Sequence, residues 1–350
     1  MFNPDEIAIP NGNFFGFPYN IEDADVLLLP VNWDVTTSYR KGAANATKAI
    51  IDASLQLDFF DLDIENAWLK KIGTLPINEN IVLDNKKFGK ISDDIIKYLE
   101  QGGVLSGEQS VVTAGDGDKY LQIKNLYAVN IQSEKVNTYV ENTTKTYLNK
   151  GKKLGLVGGD HSCPFGYVKT LGAKYPNFGI LHIDAHADLR KSYEGFIYSH
   201  ASIMYNIITQ IPQVSRIVQV GLRDLSPDEY LLGQTNEKIV QFFDRTISER
   251  LFNGDYLDKI CDNIIEKLPQ NVYISFDIDG LSPDNCPNTG TPVPGGLTYN
   301  QAVYLLKKLR LSGKNIIGFD LCEIAPSPNT YDEWDANVGA RILYQLCLCL

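Results

Sequence analysis

The sequence predicts an α/β fold: a mostly parallel central sheet covered on both faces by helices. Three observations predict it. From residue 154 onward, short apolar β-branched runs alternate with amphipathic stretches of helical length. The runs are apolar on nearly every residue, as strands buried on both faces are. Several runs end in short strings of aspartate, histidine or glutamate, at the carboxyl ends where open parallel sheets hold their ligands.

The elements follow in chain order. Asp25-Val-Leu-Leu-Leu-Pro30 reads as a buried strand, and 31–42 as a polar, glycine-containing connection. A helix is expected over 43–56, carried by Ala43, Ala49, Ile50, Ile51 and Leu55. A short helix at 91–99 runs up to Gly102 and Gly103, and 103–118 reads as glycine-rich and irregular. Asp116 and Asp118 within it follow no strand and have no histidine beside them, so they read as a turn. Residues 136–150 form an amphipathic helix with Val136, Tyr139, Val140 and Tyr147 on one side. Strands are then expected at 154–157, 178–183, 216–220, 239–243, 272–276 and 315–320. Helices are expected at 163–174, 226–233, 247–267, 299–311 and 334–348. The organisation is one domain over 1–350, with 78–135 an insertion or lid packed on it.

Composition narrows the function. With 44% hydrophobic residues over 350 positions, the chain can bury a large core in one domain. A net charge of −11 supplies nothing to neutralise phosphates, which excludes nucleic acid as partner and suits a cationic small substrate. The apolar runs are strand-sized, too short for a membrane span, and Met-Phe-Asn-Pro-Asp-Glu is not a secretory signal, so a cytoplasmic location is expected. Cys163, Cys261, Cys286, Cys322, Cys347 and Cys349 show no metal or disulfide spacing and read as buried, reduced thiols.

The chemistry lies in three strings. All four histidines fall between residues 161 and 200. Gly158-Gly-Asp-His161-Ser places an imidazole just past a flexible turn. Asp184-Ala-His186-Ala-Asp188 and Asp277-Ile-Asp279 repeat every second residue, a spacing that projects side chains to one face of an extended chain. Each string follows an apolar run. A lone Asp-x-Asp is usually a turn or helix cap, but three such strings at strand ends are hard to explain as caps. Four carboxylates in one pocket repel one another strongly, and two divalent cations would balance them. Oxygen ligands with some imidazole suit manganese better than zinc.

These strings, in this order and spacing, resemble those of the ureohydrolases, the family of arginase and agmatinase. The resemblance is loose over 25–56, good over 154–345 and absent over 78–135. It implies a three-layer α/β/α fold, the arginase-like fold, and a binuclear manganese site. One ion would take His161, Asp184, Asp188 and Asp277, and the other His186, Asp184, Asp277 and Asp279, with Asp184 and Asp277 bridging. Nickel or cobalt could replace manganese. His182 reads as packing or support for the ligands. A metal-bridging hydroxide would attack a guanidinium carbon and release urea, with Asp188 orienting it. Glu323, in Gly-Phe-Asp-Leu-Cys-Glu-Ile-Ala-Pro, is similar to the family glutamate that pairs with guanidinium. His200, in Tyr-Ser-His-Ala-Ser, resembles the family histidine suited to moving protons. The segment 288–296, rich in proline and glycine, is expected to shape the pocket mouth.

The segments 36–43 and 189–200 look most like the agmatinase branch, so the leading expectation is hydrolysis of agmatine to putrescine and urea, a step of polyamine biosynthesis. Arg190 and Lys191 could instead meet a carboxylate, which keeps arginase, guanidinobutyrase and formimidoylglutamase activity open. Trp33 and Trp334 could line a smaller pocket for free guanidine, though each reads more simply as core or interface. A catalytically inactive metal-binding member, or a two-metal deacetylase or phosphatase, is the reading from another class. Relatives assemble as trimers or hexamers, so a homo-oligomer is expected by resemblance.

Overall fold

The structure is a computed structural model that describes residues 2–105 and 117–350. Its eight strands form one sheet: β1 (Val26–Pro30), β2 (Ile72–Thr74), β3 (Lys153–Val157), β4 (Phe178–Ile183), β5 (Val214–Leu222), β6 (Ile239–Phe243), β7 (Asn271–Asp277) and β8 (Asn315–Cys322). The strand order is β2-β1-β3-β8-β7-β4-β5-β6, and every pairing is parallel. The helices are α1 (Ala46–Ser54), α2 (Glu79–Glu100), α3 (Gly117–Asn149), α4 (Phe165–Lys174), α5 (Ile203–Gln210), α6 (Pro227–Thr235), α7 (Asp244–Phe252), α8 (Leu257–Glu266), α9 (Tyr299–Leu311) and α10 (Trp334–Cys349).

The strand β1 shows how the layers arise. Val26 and Leu28 join one core with residues of α1, α7, α8, α9 and α10, while Leu27 and Leu29 join another with residues of α2, α3, α4 and α5. Alternate side chains of a strand point to opposite faces, so a strand that is apolar throughout must be covered twice. Each fully buried aliphatic side chain contributes about 1.5–3 kcal/mol relative to exposure. The result is the α/β/α sandwich expected from the sequence.

Several boundaries differ from expectation. The strand β2 is only three residues long and contains a glycine, too little for a periodic signal. The helix α5 follows the 184–200 loops directly and was not anticipated. One expected helix over 247–267 is two, because Gly254 adopts a φ of +90° between α7 and α8. The short helix at 91–99 is the second half of the longer α2, and the helix at 136–150 is the end of the 33-residue α3. Asp118 lies in the first turn of α3 rather than in a free turn. Asp116 and most of the 103–118 stretch lie outside the described residues. Among the described residues, no helix is long and apolar enough to cross a membrane. Trp33 is core, and Trp334 is half exposed, its indole N–H donating to the Asp284 carbonyl.

Candidate metal centre

The strand order gathers residues that are far apart in the chain. His161 follows β3, Glu323 follows β8, Asp277 ends β7 and Asp184 follows β4; these four strands are consecutive in the sheet. Gly159 makes the first turn possible. A side chain there would begin 2.0 Å from the Trp33 carbonyl oxygen, and the Asp160 N–H donates to that same oxygen at 2.8 Å.

The second and third strings reach the site by bends rather than by strand alternation alone. The strand β4 stops at Ile183, so Asp184, His186 and Asp188 lie beyond it. Asp188 sits in left-handed backbone with a φ of +53°, and Glu323 does the same at +63°. Each such residue costs about 1 kcal/mol, which the surrounding packing must hold in place. Asp279 lies in a single 3₁₀ turn after β7, and the Asp277 carboxylate caps it by accepting from the Asp279 N–H at 2.8 Å.

His161 is the centre of the cluster. Its Nδ1 lies 3.1 Å from Asp184 Oδ2, 3.1 Å from Asp188 Oδ2 and 3.3 Å from Asp277 Oδ2. Its Nε2 lies 2.8 Å from Ser275 Oγ, and Ser275 donates in turn to Asp320 Oδ1 at 3.2 Å. Because Ser275 gives its proton to Asp320, His161 donates through Nε2 and turns Nδ1 to the carboxylates. Nδ1 can hold one proton at most, whereas three carboxylate oxygens converge on it. Asp188 Oδ2 is buried without a hydrogen bond among the described residues. Oxygens that crowd one nitrogen with too few protons among them fit a cation.

A second group lies beside the first. His186 Nδ1 is 3.0 Å from Asp279 Oδ2 and 3.5 Å from Asp184 Oδ1. Ligand atoms of His161, His182, Asp184 and Asp188 form one group within 4.8 Å of one another, and those of Asp184, His186 and Asp279 form another. The groups share Asp184, an arrangement able to hold two adjacent divalent ions. Asp277 stands in neither group, yet its Oδ2 lies 3.3 Å from His161 Nδ1, only slightly farther than Asp184 and Asp188.

His182 lies in the first group by distance, but its hydrogen bonds give it another task. Gln219 Nε2 donates to the Ala187 carbonyl and lies 3.0 Å from His182 Nδ1, which fixes Nδ1 as an acceptor. The proton is therefore on Nε2, 2.8 Å from Asp184 Oδ2. His182 steadies Asp184 and offers no lone pair to a metal.

The side chains polarise one another strongly. Burial raises Asp188 to about 6, with the Asp184 charge adding to it, and burial with Asp279 and Asp184 holds Asp277 well above the usual carboxylate range. Burial would raise Asp184 too, but the surrounding imidazoles outweigh it and hold that group low. In His161 and His186 the balance runs the other way: burial lowers the pKa, and the neighbouring carboxylates raise it well above normal.

Outside the cluster, Glu323 Oε1 accepts the His161 N–H at 2.9 Å, and no hydrogen bond engages Oε2 among the described residues. A side chain at Gly290 would begin 3.4 Å from Oε2, so that glycine keeps the oxygen accessible. Burial and the Asp160 charge raise the Glu323 carboxyl well above its ordinary value. His200 lines a pocket of about 560 Å³ together with His186, Asp188, Tyr193, Asp224 and Thr291. Its backbone N–H donates to Thr36 Oγ1, and Thr36 donates to Asp160, the neighbour of His161. Burial and the nearby His186 lower the His200 ring to about 4. Pro292 and Val293 of the 288–296 segment also line the pocket. Neither Trp33 nor Trp334 does.

Several contributors lay beyond the sequence reading. Ser275 keeps the every-second-residue register of Asp277, and extending that register backward would have suggested it; Asp320 lies opposite Ser275 on the neighbouring strand, three residues before Glu323. Thr36 and Gln219 carried no local signal. Arg190 lines the pocket, but it lies 3.5 Å from Glu229 and over the Tyr193 ring at 4.7 Å. Lys191 is exposed and does not line the pocket.

Comparison with known proteins bears on the same region. The Arginase family model (Arginase) matches residues 24–349. An N(1)-aminopropylagmatine ureohydrolase of Thermus thermophilus is 30% identical over 328 residues, 93% of this chain and 90% of that protein. Arginase-1 of Homo sapiens is 28% identical over 222 residues, 59% of this chain and 67% of that protein. In structure, the agmatine ureohydrolase of Thermoplasma volcanium superposes with a TM-score of 0.67 at 21% identity, covering 98% of this chain and 94% of that one. Proclavaminate amidino hydrolase from Streptomyces clavuligerus gives a TM-score of 0.69 at 21% identity, covering 99% and 98%. The two superpositions establish the sandwich, and the sequence match spans the whole sheet that carries the cluster. The chain therefore belongs to the arginase family and is a ureohydrolase, a hydrolase of guanidino compounds.

Proposed function

We propose that the chain hydrolyses agmatine to putrescine and urea with a pair of manganese ions. His161, Asp184, Asp188 and Asp277 would hold one ion, and His186, Asp184, Asp277 and Asp279 the other. The observation that carries this reading is the convergence of three carboxylate oxygens on His161 Nδ1. The oxygen-rich donor set favours manganese, with nickel or cobalt as substitutes. When bound, such ions supply Lewis acidity and let water act as a nucleophile near neutral pH.

The chain's own residues do the rest. Glu323 Oε2 accepts from the planar guanidinium and fixes the target carbon in place. Asp188 orients the attacking water through a carboxylate oxygen. His200, held uncharged, takes a proton from that water and hands it to the leaving amine. A neutral ring also avoids repelling a cationic substrate.

The pocket charges support an amine tail. Arg190 is engaged by Glu229, whereas the Asp224 carboxylate has no side-chain partner among the described residues. Arg40 at the rim rests on Tyr39 and donates to the Pro287 carbonyl. A second reading is the longer N(1)-aminopropylagmatine, favoured by the name of the Thermus relative and by the room in the pocket. A homo-oligomer and a cytoplasmic location are parts of the same proposal.

Urea release by the manganese-loaded protein tests it, with agmatine, N(1)-aminopropylagmatine, arginine, 4-guanidinobutyrate and guanidine compared by kcat/KM. Highest activity on agmatine is expected. Preference for the aminopropyl compound selects the second reading, and preference for a guanidino acid overturns the amine tail. No turnover at full metal content would make the chain an inactive metal-binding member.

A further inference from the structure

We infer that the helices α2 and α3 are a fixed mount for the two loops facing the substrate, and that Asn130 is its main positioning residue. The first loop is tied to α2 at both ends. Asn85 accepts from the Asp34 N–H at 2.8 Å and donates to the Asp34 carboxylate at 2.9 Å. Lys41 Nζ donates to the Gly89 carbonyl at 3.0 Å, to Ser92 Oγ at 2.7 Å and to Asp93 at 2.5 Å. Between these ties lie Ser38, Tyr39 and Arg40, all lining the pocket.

The second loop is tied to α3. Tyr193 and Phe196 exchange backbone hydrogen bonds, and Glu194 and Gly195 between them have φ values of +53° and +84°. This is a two-residue turn with both central residues left-handed. Asn130 holds its far side at two points, donating to the Gly195 carbonyl at 3.2 Å and accepting from the Ile197 N–H at 2.9 Å. Leu126 closes the tip, since a side chain at Gly195 would begin 2.6 Å from it. The near side of the same turn is Tyr193, which lines the pocket under Arg190 and sits edge-on to His200 at 6.1 Å. Asn130 touches neither substrate nor metal site and acts through Tyr193. The two loops also meet, through the His200 N–H and Thr36 Oγ1.

The test is Asn130→Ala in the manganese-loaded enzyme, assayed on whichever guanidino substrate it turns over fastest. KM is expected to rise about tenfold with kcat and metal content nearly unchanged. Amide exchange at Ile197 should accelerate while α3 stays protected. Unchanged KM with unchanged exchange at Ile197 overturns the inference, and so does a joint fall of kcat and metal content. Gly195→Ala dislodges the same tip from the loop side, so the inference survives a poorly folding Asn130→Ala only if this variant also raises KM. The exchange measurement needs no substrate, so it separates failure here from failure of the agmatine reading.

Discussion

The ends of the four middle strands and the helical pair α2–α3 both bury polar side chains, with different results: most of the helical ones are paired by the protein, Ser133 Oγ and Asn137 Nδ2 being exceptions. At the strand ends, Asp184, Asp188 and Asp277 turn toward one another around His161 and leave Asp188 Oδ2 without a hydrogen bond among the described residues. On the helices, Asn85 and Asn130 end on neighbouring backbone, Gln132 on Asp84 and Thr144 on Thr170. Polar groups satisfied by the protein make a scaffold; polar groups that only repel one another make a demand on a ligand.

The strongest way to break this contrast is Asp277→Ala. It is expected to release metal and lower the rate by about 10³-fold or more. Metal content by elemental analysis, read beside the rate, decides it: an unchanged value for both would mean that the cluster has no need of a cation. His200→Asn should keep the metal and cost roughly 10²–10³-fold in kcat. A comparable loss of metal would move His200 into the cluster. Glu323→Gln should also keep the metal and lower kcat/KM by roughly 10–100-fold, the worth of a charge-assisted pair. An unchanged kcat/KM would reject it as the guanidinium anchor.

The smallest effect lies where the two regions meet. Among the described residues Glu194 Oε2 is buried without a hydrogen bond, and burial, with the Glu100 charge, raises the carboxyl from 4.5 to about 7. The folded chain thus holds this proton more tightly than the unfolded chain, so its contribution to stability falls as pH rises from about 4.5 to about 7. Glu194→Gln should therefore raise the melting temperature at pH 8 and change it little at pH 4.5. After allowance for solvent screening the gain is roughly 1 kcal/mol. Equal shifts at both pH values would show that the carboxylate is not strained by its surroundings.

Legibility in the sequence followed the same division. The strands are apolar on both faces and the His/Asp strings are local, so both could be read from a few adjacent residues. The part of α3 before residue 136 hides because its buried face is largely polar: Lys119, Gln122, Gln132 and Ser133 share it with Val129. A hydrophobic period cannot register such a face. Asn130 was invisible for another reason, since its partners Gly195 and Ile197 lie 65 and 67 residues away and bind through backbone. Asp320 and Ser275 were within reach but required knowing that β8 and β7 are neighbours.

That adjacency governs how the molecule can be made. The strand β8 follows every other strand in the chain, yet it lies in the middle of the sheet, between β3 and β7. A chain emerging from the ribosome holds two partial sheets with open edges until β8 arrives to join them. Assembly of the centre must wait until β8 has been made, and the interval before it is when the exposed edges are most prone to mispair.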